Sequence, residues 1–207
     1  MKHAPMIGLT AVGIVLAGAA LGSAPEAPRA AHAPAPALAG AFKIDTVHSF
    51  ALFRVKHMNV SYSYGRFNKI EGSFLIDPTK TDGNSVDVTI QTDSVDTNNE
   101  ARDKHLKSTD FFSAKEFPTM HFVGTSFKKS GDNAVEVTGD LTLHGKTKSI
   151  TVTIDSGGTG PGMRGGGEVS GAETKFTIKR SDFGMNGLVG PVGDEVTIVV
   201  SLEGGRS

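Results

Sequence analysis

Beyond residue 40 the chain alternates apolar and polar residues with a period of two, punctuated by Gly, Asn and Asp. Such alternation predicts β-strands with one buried and one solvated face. Ala51, Phe53, Val55 and His57 fall on one side of the segment Ser49 to His57, and Phe74 and Ile76 share a side ahead of a turn at Asp77-Pro78. Val86, Val88 and Ile90 alternate with Asp87 and Thr89; Val135, Val137, Gly139, Leu141 and Leu143 do so with Glu136, Thr138, Asp140, Thr142 and His144. A tight turn around His144-Gly145-Lys146 then leads into Ile150, Val152 and Ile154, which predicts a hairpin. Phe176, Ile178 and Arg180 share a parity, and Val196, Ile198, Val200 and Leu202 close the pattern. About eight strands with short turns make an all-β fold, a sandwich or an antiparallel barrel. Closure into a barrel removes exposed edges.

Two stretches depart from this pattern. From Asp96 to Phe122 the chain carries mixed charge and an aromatic cluster. Asn98 or Asn99 suits an N-cap, Glu100 the first turn, and Lys104 and Lys107 the C-terminal end, which predicts a short helix over Glu100 to Ser108. Pro118 breaks the chain before a strand from about Thr119 to Thr125. This insert is expected beside the barrel mouth. The glycine-rich run from Gly157 to Gly171 holds little apolar material and is read as a mobile loop. A phosphate cradle there lacks the following helix with Lys-Ser/Thr.

The ends and the composition narrow the setting. Lys2 and His3 precede an uncharged apolar run from Met6 to Leu21 and then small residues, the layout of a secretory signal peptide over 1–24, with cleavage as late as residue 39 an alternative. An Ala/Pro-rich tether over 25–40 follows, and 41–207 forms one domain. No later apolar run is long enough to span a membrane, so the expectation is a periplasmic or secreted protein without a stable span. There is no cysteine, hence no disulfide. The net charge of −1 is spread among interspersed acids and bases, which argues against nucleic acid as a partner. Twelve Phe with no Trp and two Tyr suit an apolar interior with few polar handles. Oligomeric state is left open, a homodimer included.

Several short motifs recur together: Asp45-Thr46-Val47-His48-Ser49, Val55-Lys56-His57-Met58, Gly65-Arg66-Phe67 and Asp96-Thr97. Arg102-Asp103-x-His105-Leu106-Lys107-Ser108, Asp110-Phe111-Phe112, Phe117-Pro118, Gly139 to Gly145 and Arg180-Ser181-Asp182-Phe183-Gly184 follow in order. Taken together they resemble the YceI family, exported proteins with a lipocalin-like barrel associated with binding polyisoprenoids. The resemblance implies a closed antiparallel barrel that holds an isoprenoid lipid, of quinone or polyprenyl phosphate type, as ligand and partner, with no cofactor and no enzymatic activity. Barrels of about eight strands leave room for one such ligand.

Candidate wall residues for the tail are Phe53, Val55, Phe67, Phe74, Phe112, Phe122, Leu141 and Ile178. Each is equally compatible with a filled core, because periodicity marks burial and not cavity lining. Candidate donors to a polar head are His57, Arg102, His105 and Arg180, with local salt bridges as the competing role for each arginine. An enzyme using His57 or His105 as acid-base group is the alternative from another class. His48, His57, His105, His121 and His144 show no metal-ligand spacing, so no metal is expected. Ser49 and His48, as strand neighbours, point to opposite faces and make a poor nucleophile and base.

Overall fold

The computed structural model describes residue 1, residues 39–80 and residues 82–206. The proposed signal peptide and nearly all of the tether lie outside these described residues. The strands are β1 (Phe42–Ile44), β2 (Phe50–His57), β3 (Ser61–Phe67), β4 (Ile70–Leu75), β5 (Ser85–Gln91), β6 (Val95–Asp96), β7 (Thr119–Lys129), β8 (Ala134–Leu143), β9 (Lys146–Pro161), β10 (Glu168–Lys179) and β11 (Val192–Arg206), with a helix α1 (Glu100–Leu106) between β6 and β7. Eight of them close an antiparallel ring in the order β1, β4, β5, β7, β8, β9, β10, β11, with β11 returning to β1 through Lys43 opposite Gly205. Above that seam β11 pairs instead with β2, and β3 and β6 extend the wall from there.

The connections define two ends. The β2–β3 turn, the segment bearing α1, the β8–β9 turn and the 180–191 segment meet at one end, here the mouth end. The β4–β5, β7–β8 and β9–β10 connections and residue 206 meet at the other. At that far end the interior is solid: Phe42, Phe74, Val135 and Val137 are at most 1% exposed. The hairpin at His144-Gly145 is a two-residue turn with φ of 51° and 72°, the left-handed pair whose twist matches flanking strands.

The run 157–171 is not a loose loop. β9 continues to Pro161 and β10 starts at Glu168, with Gly158 opposite Gly171 and Gly160 opposite Val169, and only a 3-10 turn at Met163–Gly165 joins them. Hydrogen-bonded ladders do not need side chains, and β10 is held on its other edge by Gly204 and Gly205 of β11. Small residues suit this end because the aromatic plug needs the room: a Cβ on Gly204 would stand 2.9 Å from the Phe74 ring.

The helix follows its caps. Asn99 Oδ1 accepts from the Arg102 N–H at 3.0 Å, and Asp103 Oδ1 accepts from the Thr97 N–H at 2.9 Å. It ends at Leu106, two residues earlier than expected, where the Phe112 N–H turns back to the Leu106 carbonyl at 2.9 Å. The strand after Pro118 runs on to Lys129, beyond the expected Thr125. Among the described residues, no helix is long and apolar enough to cross a membrane.

Candidate functional site

Inward positions change character along the barrel axis. Next to the solid far end they are sealed, but towards the mouth Phe53, Phe112, Met120, Phe122, Ile150, Phe176 and Val200 are only half-buried although they face inward. They line a cavity of about 170 Å³, which runs from Phe74, Ile76 and Val86 to Arg180, Met185 and Val192. A dry cavity of about 150 Å³ already takes a benzene-sized guest. Along β10 the lining runs from Ala172 to Arg180, roughly 26 Å of strand at about 3.3 Å per residue. A second hollow of about 460 Å³ beside Thr46, Asn68 and Asp93 is polar and does not enter the barrel.

Why the cavity persists is visible at its upper wall. β6 and β7 do not pair with each other, so the barrel splits there. The segment after α1 covers the split with Leu106, Phe111 and Phe112, all of which line the cavity. Phe112 meets Phe67 edge-on at 5.4 Å, and Phe67 in turn packs on Phe53 at 5.6 Å. Stiff ring contacts hold the wall apart where flexible aliphatic side chains would collapse inward.

All eight candidate wall residues, Phe53, Val55, Phe67, Phe74, Phe112, Phe122, Leu141 and Ile178, border this one cavity. The rest of the wall is apolar, Phe111 and Phe176 included, with His121, Glu173, Thr174 and Arg180 as its polar members. Periodicity alone did not single out Met120, Ile150, Phe176 or Val200, whose inward parity is readable but not the space in front of them, nor Met185, which lies outside the strands.

The four head-group candidates are placed apart. Only Arg180 borders the cavity. Its side chain is 4% exposed and donates through Nε to the Gly193 carbonyl, through Nη1 to those of Met185 and Gly187, and through Nη2 to that of Val192, at 2.7–2.9 Å. Burial pushes the guanidinium below its ordinary pKa, opposed by Asp194. His57 ends β2 at the rim and is exposed. Arg102 is exposed and donates through Nε to Thr97 Oγ1 and through Nη2 to the Thr97 carbonyl, both at 2.7 Å. His105 is exposed, with Nε2 2.8 Å from Asp110 Oδ2 and its ring edge-on to Phe111 at 5.1 Å. The two histidines considered as acid-base groups therefore lie outside the cavity lining.

Arg102 thus ties the helix entrance to Thr97. Arg102→Ala is expected to lower stability by about 1 kcal/mol, as for an exposed side-chain bond, and to leave cavity binding unchanged; thermal melting alongside a ligand titration checks both.

Asp194 holds the segment after Arg180. It accepts from the Ser181 N–H at 2.9 Å and from Ser181 Oγ at 2.8 Å. Those bonds, the backbone one foremost, keep its pKa below the ordinary 3.8. A depressed carboxylate contributes stability that is present above the unfolded value and lost as pH falls through the lower folded value. Asp194→Asn is therefore expected to melt earlier than the unsubstituted protein at neutral pH, with the gap shrinking as pH drops below 3.8; melting curves across that range give the answer.

For metals, among the described residues Asp45, His48 and Glu203 bring ligand atoms within 4.8 Å of one another near the far end of β11. They are exposed or half-buried, and His48 Nδ1 already lies 2.8 Å from Asp45 Oδ2, which raises the His48 pKa. None of the three borders the cavity.

Comparison with known proteins matches this architecture. Residues 42–204 match the YceI-like domain family. A UPF0312 protein of Pseudomonas aeruginosa is 44% identical over 172 residues, covering 82% of this chain and 89% of the relative. Protein YceI of Escherichia coli is 41% identical over 170 residues, covering 81% and 88%. Among solved structures, Burkholderia cenocepacia BcnA superposes with a TM-score of 0.70 at 29% identity, covering 77% of this chain and 98% of that one. A polyisoprenoid binding domain from Saccharophagus degradans shares the fold, with a TM-score of 0.63 at 15% identity over 80% of this chain and 98% of that domain. The domain match over the whole barrel and relatives above 40% identity place this chain in the YceI-like family.

Proposed function

We propose that this protein is an exported, non-enzymatic carrier, periplasmic or secreted, that holds the tail of an isoprenoid lipid of quinone or polyprenyl phosphate type inside its barrel. The observation that carries this reading is the elongated cavity, walled by aromatic and aliphatic side chains with almost no polar atoms and sealed at its far end. Such a wall has nothing to offer a polar substrate and suits a branched hydrocarbon. The likeness in fold to a polyisoprenoid binding domain is consistent with it. The head group would lie at the mouth end, where Arg180 is the permanent cation among the described lining residues. With four of its N–H groups already given to carbonyls, Arg180 would act chiefly through its charge.

Affinity should then come from the tail. At about 0.3 kcal/mol retained per heavy atom, each added five-carbon isoprene unit contributes about 1.5 kcal/mol, close to a tenfold gain. A series of prenyl quinones of increasing length is expected to bind about tenfold tighter per unit until the cavity is full and then to plateau. Titration calorimetry or displacement of a fluorescent probe measures this; affinity independent of chain length would overturn the reading. Organic extraction of the protein expressed from its full sequence, followed by mass spectrometry, tests the lipid class directly. Protein that never carries or takes up a prenyl lipid would sink the proposal.

A further inference from the structure

Four of the large apolar side chains left in water gather at the mouth end, whereas Val47 and Met163, 73% and 88% exposed, stand singly elsewhere. At the mouth end Met58, Val60, Leu188 and Val189 are 57%, 84%, 52% and 68% exposed. They sit on two loops, the β2–β3 turn and the 184–191 segment, that are fastened to each other. The Met58 N–H donates to the Pro191 carbonyl at 2.7 Å, the Val192 N–H donates to the Leu188 carbonyl at 3.0 Å, and Val192 pairs with His57. Met58, Asn59 and Leu188 all have φ between 50° and 59°, a left-handed conformation that non-glycine residues seldom keep without support. The tips are thus held outward by a built corner. Arg180 grips the same corner from inside through the carbonyls of Met185, Gly187, Val192 and Gly193.

The outer wall below this corner carries more basic than acidic side chains. Outward positions on β10, β11, β2 and β3 form rows: Thr177, Thr197, Arg54 and Tyr64 lie across from one another, as do Lys175, Val199, Leu52 and Arg66. Nearest the rim, Lys179 faces Glu195, and Lys56 faces Tyr62. Lys56, Arg54, Arg66, Lys175 and Lys179 therefore stand against Glu173 and Glu195, with Asp194 near Lys179 and Asp96 3.7 Å from Arg66, on a chain whose overall charge is −1. Both tyrosines of the protein are exposed on this wall, and the Arg54 guanidinium stacks 4.5 Å above the Tyr62 ring. Apolar tips followed by exposed Tyr and a belt of Lys and Arg reproduce the polarity gradient of a bilayer surface from acyl boundary to phosphate.

We infer that this corner of the mouth docks onto an anionic phospholipid surface, with Met58, Val60, Leu188 and Val189 entering the headgroup boundary and the β2–β3 face lying against phosphates. The inference rests on the carrier reading for its purpose, since a prenyl lipid has negligible concentration in water and must be taken from and returned to a membrane. Docking at the cavity end that Arg180 borders would shorten the exposed path of the tail.

The test is co-sedimentation of the purified protein with vesicles of phosphatidylglycerol and phosphatidylcholine, compared with phosphatidylcholine alone. The unsubstituted protein is expected to partition at least tenfold more strongly onto the anionic vesicles, and the gain should vanish in high salt. Val60→Asp with Leu188→Asp should reduce partition at least tenfold while the melting curve and the affinity for a short prenyl quinone in solution stay unchanged. Arg54→Glu with Lys56→Glu should abolish the preference for anionic lipid, and because these positions carry no apolar tip, they keep the test informative if the first variant folds poorly. No vesicle binding by the unsubstituted protein, or equal binding by both variants, overturns the inference. So does light scattering that shows a dimer which the first variant splits, because the patch would then belong to a second copy. Protein that carries prenyl lipid but ignores vesicles refutes docking alone; protein that docks through these residues but never carries prenyl lipid refutes the carrier reading alone.

Discussion

Replacing Arg180 with alanine is expected to lower the melting temperature by about 10 °C. The guanidinium is nearly fully buried and serves four backbone carbonyls, those of Met185, Gly187, Val192 and Gly193. Hydrogen bonds to a charged group contribute about 1.5–3 kcal/mol each when the partner is left unmet. Some of these carbonyls regain water once the side chain is gone, so a total of about 3–4 kcal/mol is expected, which at about 2–4 °C per kcal/mol for a domain of this size gives the stated shift. Arg180→Lys should recover less than half, because one ammonium cannot reach carbonyls spread around a planar fork. Thermal melting by circular dichroism decides: a shift below 2 °C for alanine would show that the carbonyl cage is not holding the mouth segment. Amide exchange should also quicken across residues 184–193, the segment that the cage fixes.

Filling the middle of the cavity should separate binding from stability. Ile150 faces inward on β9, is half-buried, and borders the cavity together with Phe122 and Phe176. Ile150→Trp is expected to reduce affinity for a long prenyl tail at least tenfold while moving the melting temperature by no more than about 3 °C, since the added ring enters space rather than packed atoms. In a solid core the same change would force neighbours apart at a cost of about 1–3 kcal/mol, a fall of up to about 12 °C by the same conversion. Undiminished affinity with an unchanged melt would show that the ligand does not use this part of the barrel. The substitution thereby distinguishes a container from a filled barrel by measuring two quantities that move in opposite ways under the two readings.

Much of the architecture was legible in residue order because strand burial writes itself as a period of two. Val86, Val88 and Ile90, or Leu141 and Leu143, can face only one way once their polar neighbours face the other. The capped helix was legible because Asn99, one of the two expected caps, answers a local backbone donor that no tertiary contact supplies. The motif series from Asp45 to Gly184 pointed to the family, and the domain match over 42–204 bears it out. What misled was composition at 157–171, where glycines suggested slack. Their backbones are held in ladders by strands distant in sequence, and that is a property of neighbours, not of the segment.

The cavity itself belongs to the three-dimensional structure. Periodicity assigned Phe74 and Phe122 the same inward face, yet Phe74 is sealed and Phe122 is half-buried, because one packs on Phe42 in the plug and the other stands further along the open cavity. The charged residues divide in the same way. Arg102 and Arg180 were indistinguishable as donors in sequence; folding spends Arg102 on Thr97 at the surface and buries Arg180 among carbonyls at the cavity rim. Residue order thus determined which faces of the strands are buried, where the helix begins and the family, since each rests on local or recurrent pattern. Whether the buried faces meet or leave room between them, and which arginine reaches that room, depended on barrel closure, since only the distance between strands far apart in sequence sets an interior volume.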